Sequence, residues 1–466
     1  MLGKQNAMYS VSITVAAGYQ SSGIGRKLKQ MQLRDAMSRR RPDGTARYRY
    51  VTGRNRVGRT AQMTHLNRVF GAHVVSVLTG QYDDPEGQAI YYRIPLGALR
   101  PDPEVKALRS TDPGPRFDLA TGLIQPFAEG PASLRNAEEQ GLLYGPAVNK
   151  LTLMNYTTPA TVRAMEWISA LLPELPHMYL TSSRDEALDK ALRLIRVTRK
   201  TAQVVIALEG NYYGHTVGST RSLSDPSTHQ GGPGHFAWPR VPHPAVVGTA
   251  ASVAAIRAAA AAAGGGAHCY GLCYELVGER TGLVLPQDFL DALVVLRREL
   301  DLPLVAVEHA SHTYRSGRGP FLSSSAGFTP DVLVWWPGGQ TGYVHCTARW
   351  YVPGPLTLVS TWDGDELSLV RHHHFLRAAR SVDLAPGIAA LDRAMAVFTE
   401  HGVPTAGLGL YRVATAGDRA GAIAARLVKL GVRARQFPGG RLAFAPAFDQ
   451  AKAAADALTS ALRGAF

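Results

Sequence analysis

From about residue 155 onward the apolar positions alternate between two periods. Helical spacing runs through Pro159–Leu172, Asp185–Val197 (with Ala187, Ala191, Leu192 and Ile195 on one face), Ala250–Ala263 and Gln287–Leu300. Between these lie short, almost purely apolar runs at Met178–Leu180, Val204–Leu208, Gly271–Leu276, Leu304–Val307 and Val332–Trp335, which predict strands buried on both faces. Strand-helix repetition of this kind predicts an α/β fold with a mainly parallel sheet covered by helices. After residue 385 the pattern changes to Ala-rich helices at Ala420–Leu430 and Gln450–Leu462, with strands at Leu408–Val413 and Arg441–Ala445, which suits a smaller α+β lobe.

The first 150 residues are less regular. A helix is expected around Gly25–Arg39, and β-like stretches at Val74–Leu78 and Ala89–Ile94, while Tyr50 to Arg59 shows no clear period. Breaks such as Pro101-Asp102-Pro103 and Asp112-Pro113-Gly114-Pro115 read as linker. The expected layout is a basic N-terminal arm over 1–75, an N-terminal segment of the small domain with linker over 76–150, a large α/β domain over 151–384 and a C-terminal small domain over 385–466.

Charge sharpens this layout. Residues 1–70 hold fourteen Lys and Arg against Asp35 and Asp43, a net +12 of the chain's +14. Such an arm suits an acidic partner or an anionic substrate, but aromatic interleaving is limited to Tyr48 and Tyr50, so nucleic acid is disfavoured. The three cysteines are too few for a disulfide framework, no run reaches the roughly 18 apolar residues of a membrane helix, and the apolar stretch Val11–Ala17 is a poor secretory signal; a cytoplasmic location is expected. Cys269 and Cys273, four apart in a predicted strand, should share one face. In Arg371-His372-His373-His374 successive helical residues diverge by about 100°, so no metal site is expected.

Five blocks carry the candidate chemistry: Thr181-Ser182-Ser183-Arg184-Asp185-Glu186-Ala187 opening a helix; Glu209-Gly210-Asn211-Tyr212-Tyr213-Gly214-His215-Thr216; Glu275-Leu276-Val277 with Gly282 and Pro286; Val305-Ala306-Val307-Glu308-His309; and Ser360-Thr361-Trp362-Asp363-Gly364. In this order they resemble the class III aminotransferases of pyridoxal-phosphate fold type I. The resemblance implies a large domain with a seven-stranded-type sheet, a dimer with shared sites, Tyr212 stacking on a planar ring, Glu308 in place of the acid that pairs with the pyridine nitrogen, and Thr361 reaching the partner's phosphate. It also implies a phosphate cradle at Ser183 and the two residues after it. Those two are Arg184 and Asp185 where the family has glycine and a small hydroxyl residue; Asp185 would repel a phosphate dianion, and Arg184 would either pair with it or fill its place.

The largest departure follows the strand Val332–Trp335. The resemblance places the Schiff-base lysine seven residues after Pro330, and that residue is Pro337. The chain's nine lysines leave the whole interval between Lys200 and Lys429 empty, so no small shift in register restores an amine. Ordinary transamination needs that amine. The expectation is a lysine-independent enzyme acting on a small molecule in specialised biosynthesis, with Glu308, His309 and His345 as catalytic candidates and Ser183, Arg184, Tyr212, Tyr213, Glu275, Pro337 and Thr361 around the pocket. Pyridoxal or pyridoxamine phosphate could bind only without a Schiff base, and no cofactor is expected. Two alternatives stay open: a non-catalytic subunit of a heterodimer with an active aminotransferase relative rather than a homodimer, and a binding protein that uses its basic arm.

Overall fold

The computed structural model describes residues 7–10, 23–57, 61–81, 87–96, 116–128, 130–139, 159–229, 236–354, 357–358 and 363–466. Two units divide at Asp112 and Pro113.

In the first unit the basic stretch is folded rather than an arm. Strand β1 (Ala7–Ser10), helix α1 (Ile24–Ser38), β2 (Tyr50–Arg56), α2 (Ala61–Val69), β3 (His73–Thr79) and β4 (Gln88–Pro95) build a four-stranded sheet of order β1-β2-β4-β3. The β1–β2 pair is parallel and the others are antiparallel. Leu33 and Ala36 of α1 join Val51, Tyr92, Ile94 and Leu96 in a small core, while most of the basic side chains of α1 stay outside it. The alternation in β2 is hidden in the sequence because its inward positions after Val51 are Gly53 and Asn55, neither of them apolar. Lys29 is the exception among the cations: it is buried with its Nζ 5.4 Å from the centre of the Tyr92 ring, and loss of hydration lowers its pKa to about 8.

The second unit contains the expected α/β fold. Strands β6 (His177–Thr181), β7 (Val204–Leu208), β8 (Arg240–Val241), β9 (Cys269–Glu275), β10 (Leu304–Val307), β11 (Val332–Trp335) and β12 (Gly342–Cys346) form a seven-stranded sheet of order β6-β12-β11-β10-β9-β7-β8. It is parallel except for β12, which runs antiparallel to both neighbours. Each apolar strand serves two cores. Leu272, Tyr274, Leu304, Ala306, Leu333 and Trp335 pack with Phe289 and Leu293 of the helix Gln287–Leu300, and Val205, Val305, Val307, Val332 and Val334 pack with Leu188 and Ile195 of the helix Arg184–Thr198. Cys269 and Cys273 fall in opposite cores instead of sharing a face, because the β7–β9 register slips between Val204 and Val205. That bulge inserts one residue and reverses the alternation beyond it. All three cysteines are free and buried.

The C-terminal lobe is an antiparallel sheet, β13 (Thr405–Leu408), β14 (Tyr411–Thr415), β17 (Arg441–Phe444) and β16 (Arg435–Phe437), with the helices Ala385–Glu400, Ala420–Lys429 and Ala451–Ala465. It also recruits residues from before the large sheet: β5 (Phe117–Asp118) pairs with β15 (Val432–Arg433), and Phe127 packs edge-on to Phe448. Arg315 ties these parts to the loop after β10. Its buried guanidinium donates to the carbonyls of Leu410 and Pro446, at 3.2 and 3.1 Å, and to that of Gly122, while lying 4.7 Å from the centre of the Phe448 ring. Carbonyl dipoles and the Phe448 ring face the buried charge, and burial lowers its pKa to about 9. The chain reaches this position through Thr313 and Tyr314, both with positive φ, a strained backbone for residues with a Cβ.

Replacing Arg315 by Met keeps the stem but strands three buried carbonyls. The expected loss of stability is about 2–4 kcal/mol, read as a lower urea midpoint with an unchanged denaturant slope.

Candidate functional site

The site is assembled where β7 and β9 end. After Leu208 the chain turns at Gly210, whose N–H donates to Asp225 at 2.6 Å. Asn211 then accepts at its Oδ1 from the N–H of Glu275 and the hydroxyl of Tyr213, at 3.0 and 3.1 Å. Tyr213 is structural: it is fully enclosed and its hydroxyl also reaches the Cys273 carbonyl at 2.7 Å. Tyr212 points the other way, fixed by its N–H to Glu275 Oε2 at 2.8 Å, and its hydroxyl bonds to Nδ1 of His215.

Two arginines lie over the Tyr212 ring, Arg184 with its Cζ 4.5 Å from the ring centre and Arg280 at 3.9 Å. Arg184 pairs with Glu279 at 2.6 Å and donates to the Tyr212 carbonyl at 3.2 Å. The Arg280 guanidinium is also 4.1 Å from the centre of the Phe437 ring on β16. Burial works to raise the Glu279 pKa, but Arg184, Arg280 and Arg435 override it and hold this carboxylate ionised. Glu275 behaves oppositely: burial and the neighbouring Glu279 charge push its pKa up to about 8, against hydrogen bonds from the N–H groups of Tyr212 and Glu279. At neutral pH the ionised acids around Tyr212 are Glu279 and Asp185, set against Arg184 and Arg280, with Arg435 adding a third positive charge next to Glu279.

At the start of the helix Arg184–Thr198, Ser183 caps by accepting from the Glu186 N–H at 3.3 Å. Asp185 turns its carboxylate onto the loop after Tyr213, where Oδ2 accepts from the N–H groups of His215 and Thr216, both at 2.8 Å, and from the hydroxyls of Thr216 and Thr220 at 2.7 and 3.3 Å. Gly214 makes room for it, since a Cβ there would fall 2.2 Å from Asp185 Oδ1. Burial opposes ionisation of Asp185, yet the Thr216 bonds and Arg184 keep its pKa below the ordinary carboxylate value.

A cavity of about 490 Å³ opens beside this cluster, lined by Tyr212, His215, His229, Arg280, Gln436, Phe437 and Pro438. Of the residues singled out from sequence, only Tyr212 lines it. Arg184 and Glu275 hold Tyr212 from behind. Glu308 and His309 lie just beyond the end of β10 and meet different groups. Glu308 is spent on the following loop, accepting from the N–H groups of Leu322 and Ser323 at 2.7 and 2.8 Å and from the Ser311 hydroxyl at 2.8 Å. His309 is buried, and loss of hydration together with Arg184 and His312 lowers its pKa well below the usual imidazole value. His345 lies in the sheet interior, with ring centres of Phe321 and Trp335 each 6.4 Å away. Pro337 is buried in a turn after β11, which His372 closes by bonding the Gly338 carbonyl at 3.0 Å. Thr361 lies outside the described residues. The three consecutive histidines diverge: His372 also meets Tyr343, His373 packs on Trp167 and His374 bonds Ser133. Among the described residues no group of acidic, histidine or cysteine side chains is arranged to hold a metal ion, and no helix is long and apolar enough to cross a membrane.

Sequence reasoning missed His215, His229, Arg280 and Gln436. The first and third sit inside recognised blocks, but only the packing of β16 against those blocks turns them into cavity walls.

No protein-family model and no curated protein matches the chain. Solved structures do. The chain is similar to the lysine aminotransferase of M. tuberculosis in its internal aldimine form, with a TM-score of 0.64 and 19% identity over 72% of this chain and 86% of that one. It is also similar to a PLP-bound amine transaminase from an uncultivated Pseudomonas species (TM-score 0.61, 16% identity, 70% and 86% covered) and to an (S)-enantioselective omega-transaminase from Thermomicrobium roseum (TM-score 0.60, 17% identity, 69% and 83% covered). The second unit therefore has the fold type I architecture of the aminotransferases.

His345 offers a test of the core assignment. Burial holds its pKa to about 3 against an ordinary 6.5. The unfolded chain thus takes up the proton first as pH falls below about 6.5, and stability falls with it. In a His345→Leu variant the loss of stability between about pH 7 and about pH 5 should be smaller by about 2 kcal/mol, measured by denaturant titration at each pH.

Proposed function

We propose that this chain is a lysine-independent enzyme on the aminotransferase fold, acting on a small molecule in specialised biosynthesis, and that it does not carry out ordinary transamination. The observation that carries the reading is Asp185. Its carboxylate occupies the N–H groups and hydroxyls near the helix start, the region where the family resemblance puts a cofactor phosphate, and a second anion there would meet a fixed negative charge. Arg184, paired with Glu279, lies over the face of Tyr212 that a planar cofactor ring would need. Pro337 has no amine, and the nearest substitute on the helix after Asp185, Lys190, is spent on the Leu180 carbonyl and on Asp363. The residues present therefore do not fit pyridoxal phosphate.

What remains is a polar cavity with its own acid-base pair. Burial raises the Tyr212 pKa, against the two arginines, so its phenol keeps its proton at neutral pH. The Tyr212 phenol can give its proton to a bound substrate and be reprotonated from a protonated His215 Nδ1, or the same relay can run in reverse, with His215 Nδ1 taking the phenol proton as Tyr212 accepts one from the substrate. Arg280 supplies fixed positive charge beside them. This reading moves the chemistry from the Glu308–His309 pair to Tyr212 and His215.

Visible spectra of the purified chain with added pyridoxal phosphate test the proposal. The expected result is no protein-bound aldimine absorbance and no mass increase after borohydride reduction. A borohydride-fixed adduct on a specific lysine of the folded chain would overturn it. A Tyr212→Phe variant should lose about 10²–10⁴-fold in turnover once a substrate is in hand, with little change in folding.

A further inference from the structure

The charge balance of the cavity identifies the class of molecule it takes. Glu279 is the acid closest to the two arginines, and its Oε2 is committed to Arg184 at 2.6 Å. Arg280 reaches the other oxygen only at 4.0 Å, through a buried Nε that has no hydrogen-bond partner among the described residues. Arg435, 5.0 Å from the centre of the Phe437 ring, adds further positive charge. Asp225 faces the same loop but is satisfied by the N–H groups of Gly210 and Ser227. Asp185, the other ionised acid of the cluster, is satisfied by the N–H groups of His215 and Thr216. Arg184, Arg280 and Arg435 thus exceed Glu279 and Asp185 by one charge, and the Arg280 guanidinium lines a half-open cavity, held in plane by the rings of Tyr212 and Phe437 at 3.9 and 4.1 Å.

Resting on the lysine-independent reading of the same pocket, we infer that this cavity binds a small organic carboxylate through the Arg280 fork, with Tyr212, His215 and His229 completing the polar wall and Phe437 and Pro438 facing the carbon skeleton. Clamping by two rings removes most of the rotamer freedom that an arginine otherwise loses on binding, so the fork is pre-organised. The volume of about 490 Å³ suits a metabolite-sized ligand. A carboxylate is favoured over a phosphate for a structural reason. Phosphate sites recruit a set of backbone N–H groups; here the N–H groups of His215 and Thr216 are already taken by Asp185, and the cavity wall is made of side chains.

Calorimetric titration of the purified full chain at low ionic strength, with succinate, benzoate and inorganic phosphate as separate probes, tests this. At least one carboxylate should bind more tightly than phosphate. Arg280→Met should weaken that carboxylate by about tenfold or more, and Arg280→Lys, which keeps the charge but not the fork, should fall between. Circular dichroism and the urea midpoint establish that each variant is folded; should Arg280→Met not fold, Arg280→Lys with its expected partial loss decides alone. Equal affinities in the wild type and a folded variant, phosphate as the tightest probe, or no binding of any probe would overturn the inference. The readout is independent of the cofactor test: an aldimine would sink the lysine-independent reading while leaving Arg280-dependent carboxylate binding measurable.

Discussion

The pair between Arg184 and Glu279 is the constraint around which this site is arranged. Both side chains are nearly enclosed, with 12% and 3% of their surfaces exposed, so neither charge is tolerable without the other. Breaking such a buried pair costs about 3–5 kcal/mol because one ion is left stranded. The pair joins the first turn of the helix Arg184–Thr198 to the loop after β9, and the Tyr411 hydroxyl, from the C-terminal lobe, bonds the Glu279 carbonyl. Three distant segments therefore meet at one residue, Glu279.

On the lysine-independent reading proposed above, that arrangement extends the remodelling beyond one residue. Arg184 lies over Tyr212, Asp185 takes the donors of the loop beyond it, and Gly214 must lack a side chain for Asp185 to fit. On the same reading, each feature fills space or satisfies groups that a phosphorylated planar cofactor would otherwise use. Pro337 belongs to the same pattern at another position: with Gly338 and Gly339 in positive-φ conformations it forms a closed turn against the helix Glu366–Ala379, held by His372 and Ser368. The pocket left open lies on the other side of Tyr212, between the loop after β7 and β16.

The histidines show how burial changes chemical meaning. His309, His312 and His345 are all enclosed, and loss of hydration depresses each pKa; His312 and His345 fall to about 3. A neutral buried imidazole packs as a polar aromatic and does not shuttle protons near neutrality. His215, exposed where it lines the cavity and bonded to a phenol, has both access and a proton partner.

By itself the sequence determined the second unit. Continuous apolar strands spaced by helical periods leave few solutions other than a covered parallel sheet, and the five ordered blocks identify which one. It also determined the absence of any lysine between residues 200 and 429. In the first unit α1, β3 and β4 fall on the helix and β-like stretches the sequence predicts, but β2 was not legible, because its inward face carries Gly53 and Asn55 and a local pattern of hydrophobicity cannot register them. Nor was the direction of Glu308, which depends on amides of Leu322 and Ser323 fourteen and fifteen residues away. The cavity itself was decided only in three dimensions: Tyr212, Arg280 and Phe437 become one stack when β16 packs beside the loops after β7 and β9, and contacts so far apart in the chain leave no local periodicity to read.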